Sequence, residues 1–347
     1  MNYQETIDYL FNSLPTFQAH GAAAYKPGLE RVAEFCRKLG NPQRNYFIIH
    51  VAGTNGKGSV SNMLAAVLQQ AGYQTGLYTS PHLSDFRERI RVNGEMISKQ
   101  KVTNFVNKYK EDMEECDLSF FEMTTALAFD YFAQSDVEVA VIETGLGGRL
   151  DATNIVIPAL SIITNVGLDH TALLGEYQRQ NVNIVCVAAD YLHENTPLTI
   201  TRRAFVEGLR DIVGITSFGG RWQVLEQEPM VVCDTGHNPH GMAFVASQLR
   251  KRTNSGTLTC VMGFCEDKNI REMLSLMPKD AHYVFTRADM PRAAKVEDLC
   301  ALATSLGLSC EAGVGSVAEC VASVRERLTP ADMMFVGGST FVVSEIL

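Results

Sequence analysis

The chain has 347 residues, which at roughly 150 residues per domain predicts two domains. With 46% hydrophobic and 20% charged residues it reads as a soluble globular protein with ample material for a core. Its net charge of −9 argues against a general basic surface for nucleic acid, so any anionic substrate must be met by local lysines and arginines.

The first residues, Met1-Asn2-Tyr3-Gln4-Glu5, are neither basic nor followed by a long apolar run, so no signal peptide is expected. No stretch approaches the length needed to span a bilayer, and no membrane partner is expected. The nine cysteines are odd in number and lack both a C-x-x-C pair and metal-ligand spacing. Reduced thiols in the cytoplasm are the simplest reading.

In chain order, residues 3–14 and 28–39 have the spacing of amphipathic helices, the second stopped by Gly40-Asn41-Pro42. Phe47 to Ala52 is mostly apolar, as a strand covered on both faces should be. Ser59 to Leu68 then has helical spacing. Between them lies Gly53-Thr54-Asn55-Gly56-Lys57-Gly58, whose glycines let the backbone turn tightly with its N–H groups inward. Those donors, the helix N-terminus and the Lys57 ammonium make a site for polyphosphate. The strict phosphate-loop pattern is not met: two residues separate Gly53 from Gly56, and Gly58 stands between Lys57 and Ser59.

Tyr73 to Thr79 reads as a second strand, followed by the loop Ser80-Pro81-His82-Leu83. Arg89 to Ile97 is a hairpin signal, with Asn93-Gly94 between alternating apolar positions. Phe120 begins a strongly apolar helix; Phe120 and Phe121 suit a core, although their flat faces could stack on a fused heteroaromatic ring. Val137 to Ile142 is a strand that delivers Glu143 at its carboxyl end, and Ala159 to Asn165 is another, delivering Asp169 and His170. Ligands of open parallel sheets bind at those ends, so Lys57, Glu143 and His170 are expected on one edge. Ser80, Glu143 and His170 each follow a strand and could hold Mg²⁺, which favours oxygen ligands; a structural role for Ser80 and His170 is equally open.

The loop from Gly145 to Asn154 is rich in turn residues and reads as a tight surface loop or as backbone closely approached by substrate. After Gly219-Gly220 the α/β pattern restarts, with strands near 230–233, 257–263, 281–286 and 332–336 alternating with helices near 239–251, 268–276, 295–307 and 316–327. The domain boundary is expected near Ser217 to Arg221, giving domains 1–218 and 219–347. Asp234 to Pro239 follows a strand and precedes a helix: Asp234 could take ribose hydroxyls and His237 could stack on a base, or the segment is an N-cap with a satisfied histidine.

Gly53 to Ser59, Tyr78 to Leu83, Glu143 to Asn154, Asn165 to Thr171 and Asp234 to Gly241 together resemble folylpolyglutamate synthase/dihydrofolate synthase, the folate branch of the Mur ligase superfamily. The resemblance runs from Tyr25-Lys26-Pro27-Gly28-Leu29 to Gly338-Ser339-Thr340-Phe341. It implies an α/β fold: a Mur-ligase-like, phosphate-loop ATPase domain on a parallel sheet, followed by a Rossmann-like C-terminal domain. It also implies an ATP-dependent amide ligase, expected to be a monomer, acting on L-glutamate and dihydropteroate or a reduced folate. Under it, Thr54, Asn55, Gly56, Lys57, Gly58 and Ser59 hold the phosphates, and Ser80, Glu143 and His170 ligate Mg²⁺. Asn181, Arg221, Asp234 and His237 match its nucleotide-binding positions; Phe120, Phe121 and Glu122 with Leu150, Asp151 and Ala152 match segments lining the pterin pocket. Lys57, Glu143 and His170 would carry the chemistry.

One departure stands out. In the family, the segment corresponding to Asp169-His170-Thr171 leads into a helix with a carbamylated lysine that helps bind a second metal ion. Here Leu174-Gly175 runs directly into Glu176-Tyr177-Gln178, and no lysine occurs between Arg149 and Lys251. Three readings therefore stand: an active folate ligase, a nucleotide- or folate-binding paralogue impaired in catalysis, and a cell-wall amino-acid ligase of the wider superfamily. The form of the Gly53–Ser59 and Gly145–Asn154 loops argues against the last.

Overall fold

A computed structural model describes residues 1–13, 28–145, 148–164, 177–251 and 256–347, and the structural statements below concern these. They fall into two units, 1–164 with 178–218, and 219–347. In the first, the order is α1 (Tyr3–Ser13), α2 (Glu30–Lys38), β1 (Phe47–Ala52), α3 (Lys57–Gln70), β2 (Thr75–Tyr78), β3 (Ile90–Val92), β4 (Glu95–Met96), α4 (Lys99–Glu115), α5 (Phe120–Gln134), β5 (Val139–Glu143), β6 (Leu160–Ile163), α6 (Tyr177–Asn195), α7 (Arg202–Arg210) and α8 (Ile212–Thr216).

These strands form one sheet in the order β4-β3-β2-β5-β1-β6. β2, β5, β1 and β6 run parallel, and the β3–β4 hairpin adds an antiparallel edge. The apolar run of β1 serves two cores at once. Ile48 joins a cluster with Phe35, Phe129 and Phe132, while Ile49 and Val51 join one with Leu64, Val67 and Leu68. A strand covered on both faces cannot alternate with polar residues, which is why this one reads as continuous apolar sequence.

The hairpin has positive φ at both turn residues, 49° at Asn93 and 81° at Gly94, the backbone of the two-residue turn that Asn-Gly signals. At α5, Ser119 and Glu122 form a reciprocal capping box, Ser119 Oγ accepting the Glu122 N–H while Glu122 Oε2 accepts the Ser119 N–H at 2.8 Å. Helix α4 is absent from the expected elements. Its surface is polar, and only Val102, Thr103, Phe105, Val106 and Met113 are buried.

The second unit comprises β7 (Gln223–Gln227), β8 (Met230–Asp234), α9 (Pro239–Arg250), β9 (Leu258–Met262), α10 (Ile270–Leu276), β10 (His282–Phe285), α11 (Val296–Ser305), β11 (Ser309–Ala312), α12 (Val317–Glu326), β12 (Met333–Gly337) and α13 (Thr340–Ser344). Its sheet runs β11-β10-β9-β12-β8-β7, parallel except for β7. The four inner strands coincide with the apolar runs of the sequence. The outer two, β7 and β11, are largely exposed and carry no such run, so the alternation of the sequence passes over them.

Candidate active site

Helix α3 begins at Lys57 directly after the turn that leaves β1, and Gly56 at its N-cap has φ 86° and offers no side-chain cap. The first N–H groups of a helix have no intrahelical acceptor, and without a cap they face outward as anion donors. Lys57 Nζ donates to Gly53 O at 2.9 Å, folding the ammonium over its own loop. Two residues distant in sequence support that loop. Thr164 Oγ1 donates to Asn55 O at 2.7 Å, and buried Asn181 sits with Oδ1 2.5 Å from where a Cβ on Gly56 would stand. Any side chain at 56 would collide with Asn181 as well as adopt an unfavourable backbone.

Glu143 ends β5, paired in register with Val51 of β1. Its side chain is 4% exposed, and Oε2 accepts the Ser80 N–H at 3.1 Å. Both carboxylate oxygens lie 3.8 Å from the Cβ position of Gly58. Ser80, Glu143 and the start of α3 are therefore gathered at the carboxyl edge of this sheet. His170, and Asp169 beside it, lie outside the described residues. No group of three or more His, Cys, Asp or Glu side chains gathers as a metal site among the described residues. The donors at this edge are a carboxylate and two hydroxyls, and Ser59 Oγ is buried without a hydrogen-bond partner. An orphaned buried hydroxyl on the residue after Gly58, whose Cβ position faces the buried Glu143 carboxylate, fits a hard divalent cation that takes oxygen ligands and keeps waters.

The loop after Glu143 is organised by Asp151. Leu146 and Gly147 lie outside the described residues. Asp151 accepts the N–H of Gly145 at 2.9 Å, the N–H of Thr153 at 3.0 Å and the Thr153 hydroxyl at 2.6 Å. Thr153 Oγ1 in turn lies 2.8 Å from His50 Nε2. A carboxylate accepts, so the threonine proton points to Asp151 and His50 must donate from Nε2. Burial pushes the His50 pKa down, against the pull of Asp151. These contacts link the strand that feeds the Gly53–Gly58 turn to the loop that follows Glu143. Neither His50 nor Thr153 has a spacing signal, since their contact joins positions 103 apart. Thr153→Val keeps the shape but leaves the buried His50 N–H unmet. It is expected to cost about 1–3 kcal/mol, read as a melting temperature lower by roughly 2–12 °C.

Among the expected pocket residues, the tip of the Phe121 ring packs against Gly145, where a Cβ would come within 2.5 Å of Phe121 Cζ. Phe120 is buried against Phe11 and Phe86. The Glu122 carboxylate holds Ser119 and accepts from Arg31 Nε at 3.1 Å. Leu150 is exposed, whereas Asp151 and Ala152 are buried.

In the second unit, Asp234 accepts the N–H groups of Trp222 at 2.8 Å and Gly236 at 2.7 Å. Burial pushes its pKa up, against the lowering effect of Arg221 and of those two amides. His237 Nδ1 lies 3.0 Å from Thr235 O and must donate to that carbonyl, which directs Nε2 away from it. Asn238 Oδ1 accepts the Gly241 N–H at 2.8 Å and caps α9.

Sequence comparison matches residues 51–182 to the Mur ligase middle domain and residues 220–340 to the Mur ligase glutamate ligase domain. The chain is 32% identical, over 99% of its length and 50% of the other's, to a probable bifunctional folylpolyglutamate synthase/dihydropteroate synthase of Haloferax volcanii. It is 29% identical to the dihydrofolate synthase/folylpolyglutamate synthase of Bacillus subtilis, over 81% of this chain and 86% of that one. The chain belongs to the folylpolyglutamate synthase/dihydrofolate synthase branch of the Mur ligases.

The structure of this Mur ligase superposes on E. coli FolC in complex with DHPP and ADP with a TM-score of 0.77 at 26% identity, covering 100% of this chain and 97% of that one. The chain spans about half the length of the Haloferax relative. The fold expected from the resemblance, two α/β units on parallel-dominated sheets, is the fold observed. Among the described residues, no helix of this Mur ligase is long and apolar enough to cross a membrane.

Proposed function

We propose that this protein joins L-glutamate to a pterin-linked carboxylate, dihydropteroate and/or a folate polyglutamate, with ATP as co-substrate and through an acyl phosphate. The observation that carries the reading is the uncapped N-terminus of α3, with Lys57 and the orphaned Ser59 hydroxyl, set beside the buried Glu143 carboxylate. The name of the Bacillus relative and the DHPP and ADP of the E. coli structure support it.

A carboxylate does not react with an amine at neutral pH until it carries a leaving group. The loop amides from Thr54 to Ser59 grip the phosphates, and Lys57 Nζ leaves Gly53 O to follow charge onto the transferring group. The acceptor carboxylate oxygen bonds to the γ-phosphorus as the β–γ bridging bond breaks, releasing ADP. The glutamate amine then attacks the acyl carbon, phosphate departs with the bonding pair, and the amine proton passes to solvent. Ser59, Ser80 and Glu143, with His170 by resemblance, would hold Mg²⁺, which when bound neutralises charge on the phosphoryl oxygens. Asn181 supports the loop at Gly56, and Arg221, Asp234 and His237 are assigned to the nucleotide. Phe120, Phe121, Glu122 and residues 150–152 are assigned to the pterin pocket. The protein acts in the cytoplasm, as a monomer.

The test is ADP release with dihydropteroate and, separately, tetrahydrofolate, each with and without glutamate. Release that depends on both acceptor and glutamate is the expected result; release indifferent to both would end the reading. The absence of lysine between Arg149 and Lys251 favours a second reading, an impaired paralogue that binds ATP without turning it over. ATP binding in the absence of any acceptor-dependent ADP would establish it.

A further inference from the structure

Arg89 stands at the end of the 3₁₀ turn Phe86–Arg89 and is 4% exposed. Its carbonyl accepts the Thr79 N–H at 3.0 Å, which sets it beside Ser80 and hence beside the Glu143 edge. The guanidinium carbon lies 5.3 Å from the centre of the Phe120 ring. Nε donates to His82 Nδ1 at 2.7 Å, so a neutral His82 keeps its proton on Nε2.

Among the described residues that single bond is the guanidinium's whole hydrogen-bond complement, and no carboxylate stands within ion-pair distance of it. The nearest acids are engaged elsewhere. Glu88 accepts the N–H groups of Leu83, Ser84 and Asp85 and the Ser84 hydroxyl, and Glu143 accepts the N–H of Ser80. Burial pushes the guanidinium below the usual arginine range; Tyr78, Glu143 and Glu88 pull it back without restoring it. The same burial, together with the Arg89 charge, brings the His82 pKa down to about 3, so the neighbouring ring adds no second cation.

A buried cation without a counter-ion is a cost to the folded chain unless a ligand supplies the missing charge. A guanidinium whose forked amino groups are uncommitted matches a carboxylate in two parallel hydrogen bonds. We propose that Arg89, held over Phe120 and steadied by His82, receives a carboxylate of the acceptor substrate at the Ser80–Glu143 edge. The assignment rests on the ligase reading above and adds to it a binding residue outside the motifs that carry the family resemblance.

The substitution that tests it is Arg89→Met, which keeps an unbranched apolar stem but removes the charge. The KM for acceptor is expected to rise about 30-fold or more, with the KM values for ATP and glutamate within about threefold of wild type. The ligand-free melting temperature should not fall, because the desolvated, unpaired charge is removed while an apolar stem remains. Arg89→Lys should recover part of the acceptor affinity. A rise with dihydropteroate and tetrahydrofolate alike places the reacting carboxylate on Arg89; a rise with tetrahydrofolate alone places the glutamyl α-carboxylate there. Either supports the assignment. An acceptor KM unchanged in Arg89→Met, or a ligand-free melting temperature lower by more than about 5 °C, makes Arg89 structural and overturns it. Wild-type protein that releases no ADP with either acceptor fails the ligase reading and this assignment together; active wild type with an unaffected Arg89→Met fails this assignment alone.

Discussion

Lys57→Ala is expected to lower acceptor- and glutamate-dependent ADP release by about a hundredfold or more. In the ligand-free protein the Lys57 ammonium rests on two neutral acceptors of its own loop, the Gly53 carbonyl at 2.9 Å and, at the long limit of 3.5 Å, the Thr54 carbonyl, and is only partly buried. Its removal should therefore cost little stability, with a melting temperature within about 2 °C of wild type. The loss falls on the reaction because charge moves onto the transferring phosphoryl oxygens. A fixed donor aimed at developing charge is worth about 10²–10³ in rate when removed. ATP affinity should weaken less than turnover, since the loop amides and the open end of α3 remain. Steady-state ADP release and a nucleotide titration separate the two, and unchanged turnover would remove Lys57 from the mechanism.

Glu143→Gln should be almost as severe, through the cation rather than the phosphate. Glutamine can still accept the Ser80 N–H that Glu143 now accepts at 3.1 Å, so the loop geometry should survive. What disappears is the negative charge that Glu143 places, buried, between the ends of β2 and β5 and the first turn of α3. Loss of groups that merely support a metal ligand costs about 10–100-fold, and loss of the ligand itself should cost at least as much. Turnover measured against Mg²⁺ and Mn²⁺ concentration should show a midpoint shifted to higher metal, with partial recovery at the highest concentrations. A variant with the wild-type midpoint would mean that Glu143 does not face the cation.

Much of this protein was legible before any coordinates. The apolar run of β1, the glycines after it and the helical spacing from Ser59 onward are local signals, because backbone turning and strand burial on both faces are imposed residue by residue. The Asn93-Gly94 turn and the alternating elements of the second unit are legible for the same reason. The elements left unread are those whose partners lie elsewhere. Helix α4 buries a narrow stripe of an otherwise polar surface, and the outer strands β7 and β11 lack an apolar run because each has a neighbour on one side only.

The site divides along the same line. Lys57, Ser80 and Glu143 are visible in sequence because each follows a strand, and the carboxyl ends of parallel strands share an edge. Composition and local spacing thus determined the α/β class, the glycine-rich turn between β1 and α3 and the candidates that follow strands. Only the folded chain decided that Asn181 closes on Gly56, that Thr164 holds Asn55, that His50 reaches Asp151 through Thr153, and that Arg89 is buried without a counter-charge. Hydrogen bonding and burial depend on what other strands and helices bring near, and side chains up to 125 residues apart leave no periodic trace of such meetings.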